Sequence, residues 1–187
     1  PAGPASQRVA GLHFLSPVHR MKLVEIIRGR APSDETIARA FAYVLALGKT
    51  PIVVNDSRGF FTSRVFGTFV MEGATMLAEG IAAPLIEHAA IAAGMPVGPL
   101  AVIDETSLAL SVRALKQTRA DLAAEGRTFE PGVGELLVER MVKALKRPGR
   151  AGGGGFYEYP KGQPKRLWAG LKRLFARAGV DSHSAEV

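Results

Sequence analysis

Cysteine is absent from the 187 residues, which excludes disulfides and thiolate-bound metal sites. Tryptophan occurs once and aromatic residues make up only 7%. That is poor material for the stacking platforms that hold nucleic acid, and no recognition motif is present, so no nucleic-acid partner is expected. No apolar run approaches the ~18 residues of a membrane-spanning helix, so no membrane span is expected either. No basic segment leads into an apolar core of the kind that directs secretion, and a reducing, cytoplasmic setting is the expectation. What remains is an ordinary globular mixture. The chain is 47% hydrophobic and 22% charged, with 21 Gly and 12 Pro, which argues against disorder and fibrous repeats.

The net charge of +7 is unevenly spread: residues 1–55 carry +4, residues 56–146 carry −2 and residues 147–187 carry +5. A locally basic end suits a small ligand that bears phosphate. The chain opens on Pro1 rather than Met, and the expectation is that it is a piece of a longer protein.

Residues 8–15 are short, apolar and closed by Ser16-Pro17, the pattern of a strand running into a turn. Residues 21–28, with Leu23, Val24, Ile26 and Ile27, read as a second buried strand. Ser33 then opens a helix, with Asp34 and Glu35 in the first turn, where the helix dipole favours anions. Ile37, Phe41, Val44 and Leu45 are expected to form its apolar face, and Gly48 to follow its C-terminus. Residues 51–55 make a third strand. Beyond Asp56 the pattern turns helical. Phe66, Phe69, Val70, Gly73, Met76 and Leu77 share one face, Pro84 opens another helix that Gly94 ends, and residues 106–124 and 133–146 supply two more. A domain boundary is expected near Asp56. Gly152 to Gly155 read as a flexible linker. Residues 166–177 read as a short basic amphipathic helix, suited to a membrane surface, to an acidic partner or to packing on its own protein.

Two constellations could carry chemistry. Glu25 sits inside Leu-Val-Glu-Ile-Ile, where an ionised carboxylate is costly unless paired. His13 ends the preceding strand and would be a suitable partner, since a carboxylate fixes the imidazole tautomer and raises its basicity. A His–Glu general-base pair is one reading. An edge strand turning Glu25 to solvent, with His13 capping the turn, is the other. The second constellation, Ser57 to Arg64, places Gly59 at a strand-to-helix switch with Ser63 and Arg64 on the first helical turns. Such a junction is either a ligand site or a structural cap.

The run Gly11-Leu-His-Phe-Leu-Ser-Pro-Val-His-Arg-Met-Lys-Leu-Val-Glu25 resembles the 3-hydroxyacyl-CoA dehydrogenases. Lys49 to Asp56, Gly59-Phe-Phe, Gly94-Met-Pro-Val-Gly-Pro99 and Gly155-Phe-Tyr-Glu-Tyr159 continue the match in order. It covers about Arg8 to Trp168 and resembles in particular the multifunctional fatty-acid oxidation proteins. The resemblance implies an α/β remnant, the C-terminal end of a Rossmann-like NAD domain, over residues 1–55. It implies an all-α domain over 56–156 and a basic tail over 157–187. It implies NAD as cofactor, an acyl-CoA substrate, His13 as the catalytic base and Glu25 as its orienting partner. Ser63 stands where the family carries a catalytic Asn, and Ser16 falls at a position implied to face the cofactor. A homodimer through the helical domain and a thiolase subunit as partner are also implied. An isolated helical module without activity of its own is the alternative reading.

Overall fold

The structure is a computed structural model, and it describes residues 5–175. The chain divides into two compact units that part between Phe66 and Gly67.

The first unit is built on a three-stranded sheet, β1 (Gly11–Phe14), β2 (Leu23–Arg28) and β3 (Thr50–Asn55), in that spatial order. β1 runs antiparallel to β2, and β2 runs parallel to β3. A parallel pair needs a crossover, and α1 (Asp34–Ala46) supplies it. Ser33 caps α1 by accepting the amide of Thr36, and Gly48 follows the helix in the left-handed region at φ 69°. Alternation along β2 sends Val24 and Ile26 against Ile37 and Val44 of α1, which form one core cluster. Phe41 and Leu45, expected on the same face, are exposed. Each lies one residue, about 100° round the helix, from Ala40 and Val44, and the buried stripe runs through Ile37, Ala40 and Val44 instead.

The second unit is helical. It comprises most of α2 (Thr62–Ala78), then α3 (Ala83–Ala92), α4 (Pro99–Thr106), α5 (Leu108–Ala124) and α6 (Val133–Lys143). A two-stranded antiparallel ribbon, β4 (Tyr157–Glu158) with β5 (Arg166–Leu167), and α7 (Gly170–Phe175) complete it. The core joins Val70, Leu77, Ile86, Leu100, Ile103, Leu108, Val138, Met141 and Phe156. Three sequence expectations need correction here. Residues 99–106 form a helix of their own, closed at Ser107, whose φ of 99° breaks the run into α5. Gly152 to Gly155 are not a linker: Gly154 and Gly155 are buried, and the backbone passes so close to Asp104 that a Cβ on Gly155 would lie 1.6 Å from its Oδ1. Residues 157–175 are more than a basic tail: Tyr157, Leu171 and Phe175 belong to the buried core, which is the packing on its own protein expected as one use of the short helix. Residues 176–187, including the end of the expected amphipathic helix, lie outside the described residues.

Two carboxylates organise this unit, the fully buried Asp104 and the half-buried Glu87. Asp104 accepts the amides of Phe156 (2.8 Å) and Tyr157 (3.2 Å) and the hydroxyl of Tyr159 (2.8 Å). Glu87 accepts the amide of Leu100 (2.8 Å) and the hydroxyl of Tyr157 (2.7 Å). Arg147 closes the network by donating to the carbonyls of Gly155 and Tyr157. Burial pushes the Asp104 carboxyl above its ordinary range despite these donors. Burial and the neighbouring carboxylates push the hydroxyls of Tyr157 and Tyr159 up as well.

Candidate active site

The strand register brings the expected pair together. His13 lies directly opposite Glu25 across the antiparallel β1–β2 ladder, so the two side chains leave the same face of the sheet. That is the face opposite Val24 and Ile26. Glu25 is 0% exposed, while the His13 side chain is 34% exposed. His13 Nδ1 lies 2.6 Å from Glu25 Oε2. An ionised carboxylate only accepts, so Nδ1 carries the proton and donates it. The outer nitrogen, Nε2, is thereby left as the basic one. Phe60 lies beside the imidazole, its ring centroid 5.5 Å away and tilted by 54°.

The chain leaving β3 covers Glu25. Gly59 and Phe60 both take positive φ, 75° and 43°, and this turn aims the start of α2 at the carboxylate. Glu25 Oε1 accepts the amides of Phe61 (3.0 Å) and Thr62 (2.8 Å), and Oε2 accepts the Thr62 hydroxyl at 2.7 Å. These amides are among those a helix cannot satisfy in its own first turn, and they lie at the positive end of the helix dipole. Burial by itself pushes the Glu25 carboxyl up. The Thr62 amide, His13, the Thr62 hydroxyl and the Phe61 amide outweigh it and hold the group below the usual carboxylate range. The buried carboxylate is thus kept ionised beside the imidazole.

A pH dependence follows from that sign. A carboxyl held low in the folded state adds stability above its unfolded range, and that stability is lost as pH falls through the lowered value. Acidification below the ordinary carboxylate range is therefore expected to release the Phe61 and Thr62 amides. Amide exchange measured against pH should show these two losing protection with acid in the parent chain, and losing that acid response in Glu25→Gln.

The two serines lie at the edge of this arrangement. Ser63, on the first turn of α2, is exposed and is not among the groups bonded to Glu25; the residue before it, Thr62, holds the carboxylate instead. Ser16 is exposed two residues beyond the end of β1. Sequence reasoning missed Thr62 and, in the second unit, Asp104. A usable signal existed for Asp104, an acid closing the apolar run Leu-Ala-Val-Ile, the same signal that singled out Glu25. For Thr62 there was none, because its role depends on the path of the Gly59–Phe60 turn. Among the described residues no cluster of His, Asp and Glu could hold a metal, and no helix is long and apolar enough to cross a membrane.

Comparison with known proteins gives the family. The family model for the 3-hydroxyacyl-CoA dehydrogenase NAD-binding domain matches residues 3–57. The model for the C-terminal domain of the same enzymes matches residues 59–159. The fatty acid oxidation complex subunit alpha of Shewanella frigidimarina is 35% identical over 167 residues, 89% of this chain but 22% of that protein. The crystal structure of 3-hydroxybutyryl-CoA dehydrogenase from Escherichia coli K12 aligns at a TM-score of 0.71 with 30% identity, covering 84% of this chain and 33% of that one. The (S)-3-hydroxybutyryl-CoA dehydrogenase of Ralstonia eutropha aligns at 0.70 with 33% identity, covering 81% and 52%.

Proposed function

The chain belongs to the 3-hydroxyacyl-CoA dehydrogenase family, and on that footing we propose that the protein carrying it oxidises 3-hydroxyacyl-CoA to 3-oxoacyl-CoA in fatty-acid β-oxidation. One observation carries the reading: His13 Nδ1 is held at 2.6 Å by a fully buried carboxylate on the facing strand. This fixes the tautomer and turns Nε2 outward as a base. His13 takes the proton of the substrate 3-hydroxyl at Nε2. Glu25 stays ionised and stabilises the imidazolium that results. Phe60 limits the tilt of the ring. NAD, when bound, accepts the hydride from the carbon that bore the hydroxyl. The fit to that cofactor rests on the partly exposed imidazole, which suits the reacting end. The 187 residues contain no Gly-x-Gly-x-x-Gly turn, and none of them is assigned to the pyrophosphate.

The remaining assignments belong to the same proposal. Ser63, exposed at the start of α2, is the substrate-side hydrogen-bonding group, and Ser16, beyond β1, is the cofactor-side one. Residues 1–55 close the NAD-binding domain and residues 56–156 form the helical domain. Residues 157–175 are counted with the latter, because they share its core. Val133 and Leu136, exposed on α6, support pairing of two copies through this unit. The relatives are named as one subunit of a complex, and a 3-oxoacyl-CoA product is a substrate for thiolytic cleavage. Together these support a thiolase partner, and a cytoplasmic setting is part of the same proposal. The test is direct: the protein carrying this chain should turn over acetoacetyl-CoA with NADH and leave free acetoacetate untouched. No turnover of acetoacetyl-CoA would overturn the reading.

A further inference from the structure

Glu25 does not serve His13 alone. Its Oε2 accepts two hydrogen bonds, one from His13 Nδ1 at 2.6 Å and one from the Thr62 hydroxyl at 2.7 Å. The other oxygen is occupied by the amides of Phe61 and Thr62. Those two amides already anchor the carboxylate and seat the first turn of α2 on it, and any residue at position 62 other than proline would supply the same amide. The hydroxyl is the one contact that depends on the side chain. It reaches the very oxygen that polarises the imidazole. Two donors on one carboxylate oxygen share its electron density, and each weakens the other's bond.

We propose that Thr62 is a positioning residue that governs how strongly Glu25 charges His13, through the shared oxygen Oε2. This rests on the reading of His13 as the base. β1 contributes His13, β3 opposes Glu25 with the apolar Ile52, and the segment from Ser57 to Arg64 that covers Glu25 also carries the charged Arg58 and Arg64. The Thr62 hydroxyl also contributes to holding the Glu25 carboxyl low. Removing the hydroxyl should concentrate charge on Oε2, shorten the bond to His13 and make the imidazole a stronger base that is also more easily protonated.

The test compares Thr62→Val, which keeps shape and backbone, with Thr62→Ser, which keeps the hydroxyl. Thr62→Ala serves where valine disturbs the helical turn. In the 187-residue chain, carbon-detected NMR should show the Glu25 carboxyl titrating at higher pH in Thr62→Val than in the parent. The His13 Nδ1 proton should move downfield. Thr62→Ser should match the parent in both. In the protein carrying the chain, the acid limb of the kcat/KM profile for oxidation of 3-hydroxybutyryl-CoA with NAD, the direction in which His13 acts as base, should move to higher pH in Thr62→Val. Its plateau should stay within about tenfold of the parent, whereas loss of a general base costs about 10²-fold or more. Unchanged NMR signatures in Thr62→Val, a serine variant that behaves like the valine one, or shifted signatures with an unmoved pH profile would each overturn the proposal. Unchanged turnover in His13→Gln would instead overturn the base assignment on which it rests.

Discussion

Replacing His13 by glutamine in the protein that carries this chain is expected to lower turnover of acetoacetyl-CoA with NADH by about 10²–10⁴-fold, the range usual for a lost general acid or base. Glutamine is the informative choice. Its amide can still donate to Glu25 Oε2, so the buried carboxylate keeps a partner and the strand pair keeps its geometry. What is lost is the group that exchanges a proton at Nε2. The loss should fall on kcat and kcat/KM together, because the interaction removed is one made in the transition state rather than in substrate binding. Steady-state kinetics of the two proteins decide it. Activity within about twofold of the parent would remove His13 from the reaction. The register of β1 against β2 makes the expectation specific to this histidine. Among the described residues His13 alone faces Glu25, whereas His19 lies in the exposed segment after β1 and His88 on α3.

Removing the Asp104 carboxylate is expected to cost the second unit about 3–5 kcal/mol, the range for breaking a buried charged interaction by deleting one side of it. In Asp104→Ala the amides of Phe156 and Tyr157 and the hydroxyl of Tyr159 lose their acceptor together, and each buried donor left without one costs about 1–3 kcal/mol. Against a typical domain stability of about 5–15 kcal/mol, that is a large fraction. Gly155→Ala should do comparable harm by another route, since its Cβ would occupy the place of Asp104 Oδ1. Asp104→Asn should be milder, because it keeps one acceptor. Urea unfolding followed by circular dichroism gives the comparison. A loss below about 1 kcal/mol in Asp104→Ala would show that the Phe156–Tyr159 segment is held by its apolar contacts instead. Acid is not a substitute for the mutation. Asp104 is held above its ordinary range, so its contribution is fully present below the unfolded range and declines as pH rises through the raised value. Glu25 behaves in the opposite sense.

Much of this molecule was legible before any coordinates, for local reasons. Strand, strand, helix and strand were readable because alternation, the Ser33 cap and the Gly48 terminator are all signals carried within a few residues. The His13–Glu25 pair was readable as one of two alternatives because an acid inside an apolar run demands a partner wherever it folds. Which alternative holds was a question of register, and register is a relation between strands: shifting β1 by one residue would have put His13 on the other face. The family motifs gave the same pair a chemical role without locating its atoms.

The remainder was decided by tertiary structure. Thr62 became a partner of Glu25 only through the left-handed turn at Gly59 and Phe60, and a hydroxyl in an exposed-looking stretch carries no periodicity to betray it. Four glycines in a row looked like a linker because glycine has no side chain to show a pattern. The work of the last of them, Gly155, letting backbone pass against Asp104, depends on a residue some fifty positions earlier. Phe41 and Leu45 were apolar and correctly placed on a helix, yet only the sheet against α1 could determine that the buried stripe runs through Ala40 instead. Local sequence specifies which elements form and which groups need a partner. Where a partner comes from is a matter of chain path, which no short window of residues contains.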